Sequence, residues 1–154
     1  MAHPAITADP PWLSIQEVSR RSGLSEPTLR YYEKIGLIEA VPRDASSGHR
    51  RYSDGTCQAI EALACLRAAG MSIEDMQNYL RYLGDGAPAA ARQRALFERH
   101  ASRVGAEIAR LRVQQRYLEL KVALWSARER DDQAAESRAV GDIVGMSTEL
   151  HSSR

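Results

Sequence analysis

The chain has 154 residues, of which 44% are hydrophobic and 27% are charged, and its formal net charge is +1. This composition predicts a folded protein with one domain core and one further long element, and it excludes a disordered chain. No apolar run approaches the roughly 20 residues of a membrane span, and no leader peptide is recognisable. Two cysteines exclude a disulfide scaffold, and a charge so close to zero neither favours nor excludes nucleic acid.

Two short helices are predicted after residue 12. Ser14 and Glu17 form the S-x-x-E pattern of a capping box, and Gly23 is suited to end the helix that this box starts. Ser25 then serves as the N-cap of a second helix, which Gly36 ends. Two short helices around a glycine-containing turn are typical of a helix-turn-helix, although any pair of packed antiparallel helices can share this spacing.

A hairpin is predicted next. The apolar residues Leu37, Ile38 and Val41 predict a short strand, the segment 44–48 is rich in turn-forming residues, and the chain returns through 49–52. Between Arg20 and Tyr52 the sequence holds three more basic than acidic residues, against +1 for the whole chain. Lysine and arginine neutralise phosphates, so this local excess favours a DNA-binding wing, with a solvated surface hairpin as the alternative.

A second helix pair follows the hairpin. One helix is predicted from about Gly55 to Ala69, where Gly70 ends it, and another begins at Ser72. We expect this pair to pack into a core and to join the head of the chain to the element that comes after it.

The segment 87–130 predicts one long helix with a heptad seam. Apolar residues alternate at spacings of four and three, which is the pattern of a coiled coil. The seam consists of Phe97, Ala101, Val104, Ile108, Leu111, Gln115, Leu118, Val122 and Trp125. A lone helix cannot bury such a stripe, so we expect a partner helix to cover it; packing on the chain's own head is the alternative, but the head is too short to cover the whole seam.

The predicted boundaries divide the chain into five parts. These are a flexible proline-rich arm at 1–11, the winged helix-turn-helix at 12–53, a helix-pair hinge at 54–86, the dimerisation coiled coil at 87–130, and a loosely structured tail at 131–154. The fold class is therefore mainly α.

The sequence resembles the MerR family of transcriptional regulators over about residues 13–82. The resemblance depends on the run T-L-R-Y-Y-E-K-I-G-L at 28–37, on S-G-H-R-R-Y-S at 47–53, and on L-R-A-A-G-M-S at 66–72. It implies a winged helix-turn-helix that binds double-stranded DNA, a helix pair, and an antiparallel dimerising coiled coil. It also implies a homodimer that binds a palindrome-like operator and acts on RNA polymerase indirectly, by bending and untwisting an overlong promoter spacer.

The resemblance implies the residues of the DNA interface. Thr28 and Arg30 are expected on the reading helix, one tyrosine hydroxyl is expected at a phosphate while the other ring packs inward, and wing arginines are expected along the DNA backbone. Tyr52 is expected to brace the wing, and His49 stands where the family often has an aromatic residue. The full set is Ser25, Thr28, Arg30, Tyr31, Tyr32, Arg43, His49, Arg50, Arg51 and Tyr52.

A signal for such a regulator would have to act through a small site. Metal-sensing members of the family carry cysteines near the dimer helix, but residues 84–154 contain none. Cys65 resembles the single cysteine of the AdhR/NmlR-like branch, which responds to aldehydes, electrophiles or nitrosative stress; the alternative is a buried hydrophobic role. Cys57 is expected in the core, and neither a metal nor a cofactor is expected.

We therefore expect a DNA-binding regulator in the bacterial cytoplasm, associated with the nucleoid and not with a membrane. A coiled-coil adaptor protein and a constitutive repressor without effector are the alternatives. An enzyme finds no support, since no phosphate-binding loop, metal-ligand cluster or pair of nucleophile and base is present in the sequence.

Overall fold

The computed structural model describes residues 11–152, which fold into helices joined by short connections and two isolated β-bridges. The chain divides into two compact units, one ending at Leu96 and the other beginning at Phe97. The helices are α1 (Ile15–Ser22), α2 (Glu26–Lys34), α3 (Asp54–Ala68), α4 (Ile73–Gly84), α5 (Ala90–Glu129) and α6 (Gln133–Ser152), with a 3-10 turn at Ala87–Ala89. No helix in this described part is long and apolar enough to cross a membrane.

The predicted start and end of α1 are confirmed. The backbone N–H of Ser14 donates to Glu17 Oε2 at 2.7 Å, and the N–H of Glu17 donates to Ser14 Oγ at 3.2 Å. Gly23 follows the helix with φ of 74°, a left-handed conformation that glycine adopts without strain. Serine N-caps also begin α2, α3 and α4.

The core of the first unit lies where α1, α2, α3 and α4 meet. Its members are aliphatic and aromatic side chains from every one of these helices, and burial of each large one contributes about 1.5–3 kcal/mol to the stability of the fold. The most deeply buried are Val18, Leu29, Tyr32, Tyr52, Cys57, Ile60, Leu63, Met76 and Leu96.

The strand predicted at 37–41 is wrong. The N–H groups of Leu37 and Ile38 both donate to the carbonyl of Tyr32, at 2.9 and 3.2 Å, so they cap the end of α2 and are not free to form a ladder. The apolar side chains of this run are buried in the core instead. The hairpin is correspondingly small and is held by one bridge, Arg43 with Arg50.

The prediction of a loose tail is wrong for α6. Asp132 begins this helix by accepting the N–H of Ala135 at 3.0 Å, and Arg128 near the end of α5 pairs with Glu136 at 2.7 Å. Ala139 of α6 is buried. Sequence reasoning overlooked the aspartate cap and the apolar residues that follow it. The predicted arm lies, apart from Pro11, outside the described residues.

Helix α5 carries two apolar stripes on opposite faces. Leu120, Leu124 and Ala127 are buried within the second unit. The heptad seam lies on the other face, because successive residues of an α-helix turn by about 100°. All nine seam residues are exposed.

Candidate nucleic-acid interface

Helix α2 is held in place by its cap and by two buried side chains. Ser25 Oγ accepts the N–H of Thr28 at 3.2 Å, and Pro27 occupies the first turn, where its missing N–H costs nothing. Leu29 and Tyr32 are fully buried in the core. The opposite face of α2 is therefore presented to solvent in a defined orientation.

The two adjacent tyrosines of α2 have different environments. The side chain of Tyr31 is 50% exposed, whereas that of Tyr32 is 2% exposed. The structure thus identifies Tyr32 as the ring that packs inward and Tyr31 as the one whose hydroxyl is accessible. Arg30 is also exposed and pairs with Glu26 at 3.1 Å, one helical turn away. A surface pair of this kind is worth little energetically, so Arg30 can exchange it for another anion.

The tip of the wing is organised by one carboxylate. Asp44 Oδ1 accepts the N–H groups of Ser46 and Ser47, both at 2.9 Å, and their hydroxyls as well. The hydroxyl of Ser46 and the other donors lower the pKa of Asp44 far below its ordinary value, so the tip keeps its charge and shape well into the acid range. His49 follows, exposed to solvent.

The base of the wing is attached to the start of the chain. Leu13 and Tyr52 exchange two backbone hydrogen bonds of 2.9 Å. The guanidinium of Arg51 lies over the ring of Trp12 at 5.1 Å from its centroid, and it also approaches Asp44 at 3.6 Å. Neither Trp12 nor Leu13 was predicted to take part in the wing.

A cleft of about 340 Å³ lies between the start of α1, helix α2 and the wing. Three arginines and a histidine line it, with one carboxylate, Glu26, among them. The basic residues are Arg30, Arg43, His49 and Arg50. The arrangement is suited to an anionic polymer such as a nucleic-acid backbone, because these cations are spread along a groove and not gathered around a point.

Sequence reasoning missed Arg67. This residue of α3 donates to Thr28 Oγ1 at 3.4 Å and so joins the helix pair to α2, across 39 positions of sequence. It also lines two shallow clefts that flank α2. No sequence signal indicated this contact, since α3 reaches α2 only through the tertiary fold.

Comparison with known proteins identifies the family. The model of the MerR HTH family regulatory proteins matches residues 13–83, and the model described as "MerR, DNA binding" matches residues 55–120. An HTH-type transcriptional regulator of Haemophilus influenzae is 33% identical over 109 residues, which are 71% of this chain and 80% of that protein. This chain belongs to the MerR family. It is thus a DNA-binding transcriptional regulator and not an enzyme.

Two further MerR relatives are informative. AdhR of Bacillus subtilis is 40% identical over 74 residues, but the match spans only 48% of this chain and 52% of AdhR. The crystal structure of HiNmlR, a MerR family regulator lacking the sensor domain and bound to promoter DNA, superposes with a TM-score of 0.65 at 30% identity. That match covers 81% of this chain and 96% of HiNmlR. The mainly helical fold expected from the sequence is confirmed.

The structure divides the residues expected at the DNA interface into three groups. Arg30, Tyr31, Arg43 and His49 are exposed beside the cleft or on α2. Tyr32 and Tyr52 are buried, so they support α2 and the wing from within. The others are already engaged: Ser25 and Thr28 hydrogen-bond to each other, Arg51 stacks on Trp12, and Arg50 pairs with Glu33.

The two cysteines lie in opposite environments. Cys57 is 1% exposed, and burial raises the pKa of its thiol, so the prediction of a core role is confirmed. Cys65, in contrast, is exposed on α3, which contradicts the alternative of a buried hydrophobic role. Within residues 11–152 no cluster of three potential ligands could hold a metal ion.

Proposed function

We propose that this MerR protein binds a palindrome-like promoter site as a homodimer, with α2 in the major groove and the wing along the backbone. The observation that carries the proposal is the basic cleft between α2 and the wing, together with the exposed side chains of Arg30 and Tyr31. A helix-turn-helix presents its second helix to base edges, while flanking cations position the protein on phosphates. HiNmlR, which is similar in fold, is bound to promoter DNA.

The exposed seam of α5 supports the homodimer. Its large apolar members are 40–66% exposed in the single chain, among them Leu118, Val122 and Trp125 at 62%, 66% and 62%. Soluble proteins rarely leave a contiguous stripe of this size uncovered. The face of α5 opposite the seam is the one that carries buried residues of the second unit, so the seam is left for the same helix of a second subunit, running antiparallel.

Such a dimer would act on transcription through the shape of the promoter. Two heads joined through one coiled coil favour half-sites at a matching separation and orientation, and we propose that binding therefore selects DNA that is bent and untwisted to match. We propose that this distortion aligns promoter elements for RNA polymerase, which the regulator then need not contact directly. We propose accordingly that the protein acts in the bacterial cytoplasm, on the nucleoid, where promoter DNA lies.

We further propose that Cys65 responds to an electrophile. The thiol is exposed on α3, the helix whose Arg67 touches α2. Cys65 lies about 200° around the helix from Arg67, so its modification would act on α2 through a displacement of α3 itself. The similarity to AdhR over 74 residues supports this assignment. An assay of promoter output with and without an aldehyde tests it: Cys65→Ser should keep DNA binding and lose the response. An unchanged response would refute the role of Cys65.

Genomic selection tests the DNA-binding proposal. Purified protein should enrich a small set of fragments that share a palindrome-like site in a long promoter spacer. On such a fragment, Arg30→Ala should weaken binding and reduce the slope of log affinity against log salt by about two, one for each subunit. Arg138→Ala, at an exposed site on α6, is the matched control and should leave affinity and slope unchanged. Failure of the wild-type protein to bind any duplex would refute the proposal.

A constitutive repressor remains the second candidate function. It predicts the same DNA binding but no response of promoter output to any electrophile, whatever residue stands at position 65. An adaptor protein predicts instead that the purified dimer shows no salt-dependent retention on duplex DNA.

A further inference from the structure

We infer that Glu33 and Arg50 are a positioning pair that fixes the wing against α2, and that Arg50 is not a phosphate contact. Arg50 Nε donates to Glu33 Oε2 at 2.7 Å, and the two side chains are only 20% and 17% exposed. By comparison, the side chains of the Arg30–Glu26 pair are 49% and 33% exposed. Arg30 and Arg50, which line the same cleft, therefore have different roles.

The carboxylate of Glu33 contacts both sides of the wing. Its Oε1 accepts the N–H of Val41 at 3.3 Å, where the chain enters the wing, and its Oε2 accepts from Arg50, where the chain returns. Val41 is itself buried. Glu33 lies in the last turn of α2, so a single side chain of the reading helix ties that helix to both sides of the hairpin.

The surroundings of the pair keep Arg50 in place. The hydroxyl of Tyr52 is buried nearby; burial raises its pKa, and the charges of Arg50, Glu33 and Arg30 also act on it. If Arg50 turned outward to a phosphate, the carboxylate of Glu33 would be left poorly solvated and without its cation, which is strongly unfavourable. Arg43 donates to the carbonyl of Gly48 at 3.2 Å, but both Arg43 and His49 are exposed, so either can turn to DNA without leaving a half-buried carboxylate unpaired.

The Glu33–Arg50 pair favours DNA binding because it restricts the motion of the wing in the free protein. Asp44 orders the tip of the hairpin and Leu13 holds its base, but a hairpin with a single bridge is not rigid by itself, and the Glu33–Arg50 pair ties it directly to α2. Fixing it to α2 sets the spacing between the groove-reading helix and the backbone-contacting wing. A preorganised arrangement of this kind raises affinity by reducing the ordering cost of binding.

The direction in which one substitution changes DNA affinity distinguishes a positioning role of Arg50 from a phosphate contact. Glu33→Gln removes a negative charge and no cation, and its amide oxygen can still accept the N–H of Val41. If Arg50 contacted phosphate, this variant would release it and bind DNA as tightly as the wild type or more tightly. We expect the opposite, a loss of roughly tenfold, because the wing loses its fixed position. Glu39→Gln removes one charge from the exposed segment just before the wing and is the matched control, with wild-type affinity expected.

A double-mutant cycle measures the coupling. Arg50→Gln and Glu33→Gln should each weaken binding, and the variant with both should bind no more weakly than either one, because each change breaks the same contact. Additive losses would overturn the inference, as would equal or tighter binding by Glu33→Gln. The cycle should be run on an operator fragment bound by the wild type.

Hydrogen exchange in the free protein provides a second measurement that does not depend on DNA. The N–H of Asp44 donates to the carbonyl of His49, and the N–H of Arg51 donates to that of Pro42. Both amides should exchange faster in Glu33→Gln and in Arg50→Gln than in the wild type. Unchanged exchange would overturn the inference. The inference rests on the proposed DNA binding for its effect on affinity, but a wild type that bound no DNA would refute only that proposal, since exchange tests the pair separately.

Discussion

Replacing Ile108 by glutamate should separate the dimer into single subunits. Ile108 lies on the seam of α5, with 44% of its side chain exposed in the single chain. Covering this exposed part in a dimer contributes about 1 kcal/mol to the free energy of association, since full burial of an isoleucine is worth about 1.5–3 kcal/mol. A carboxylate enclosed at the same place costs several kcal/mol more. A symmetric dimer contains the site twice, so the total is roughly 6 kcal/mol or more, a factor of at least about 10⁴ in the dissociation constant.

Sedimentation velocity at micromolar concentration measures the result directly. The wild type should sediment as a particle with twice the chain mass of 17.1 kDa, and Ile108→Glu should sediment as a particle with the mass of one chain. Ala109→Glu is the matched control, because Ala109 is the next residue, is exposed, and lies off the seam. Circular dichroism should show that both variants stay helical. A dimeric Ile108→Glu, or equal dissociation of Ala109→Glu, would refute the assignment of the seam.

Three further predictions concern the head of the protein. A thiol reagent at neutral pH should modify Cys65 at once and Cys57 only when the protein unfolds, because Cys57 is buried and the pKa of its thiol is raised. Equal rates of modification at the two cysteines would contradict this prediction. Leu63→Ala, at a side chain 1% exposed in the core, should lower the free energy of unfolding by about 2–5 kcal/mol in a denaturant titration, and a loss below about 1 kcal/mol would be inconsistent with its packing. Because hydrogen bonds lower the pKa of Asp44, its contribution to the stability of the wing is complete above the ordinary pKa of an aspartate and is lost only as pH falls through the lower folded value. Side-chain carboxyl chemical shifts should show that Asp44 is still ionised when the pH is lowered below about 4. Titration near the ordinary value would disprove the hydrogen-bonded tip.

Local patterns account for the parts of the fold that were predicted correctly. The capping box at Ser14, the glycine after α1 and the long helix α5 each depend on residues within a few positions of one another, and the physics of helix ends and helix faces acts over that distance. The tail was misread although its signals were local, because Asp132 and the apolar residues after it were overlooked.

The strand predicted at 37–41 failed for a different reason. A short apolar run indicates which side chains are buried, and Leu37, Ile38 and Val41 are indeed buried. It does not indicate where the backbone N–H groups go. Those of Leu37 and Ile38 are used by the carbonyl of Tyr32 at the end of α2, which no periodicity can reveal.

The sequence by itself determined the helical architecture, the family, and the apolar stripe on α5, because these depend on short-range spacing and on recognisable motifs. Only the tertiary structure decided which of Tyr31 and Tyr32 faces solvent, that Arg67 touches Thr28, and that Glu33 engages Arg50. The physical reason is distance along the chain. An ion pair across 17 positions, or a contact across 39, exists only after the hydrophobic core has brought separate elements together, so no local pattern encodes it.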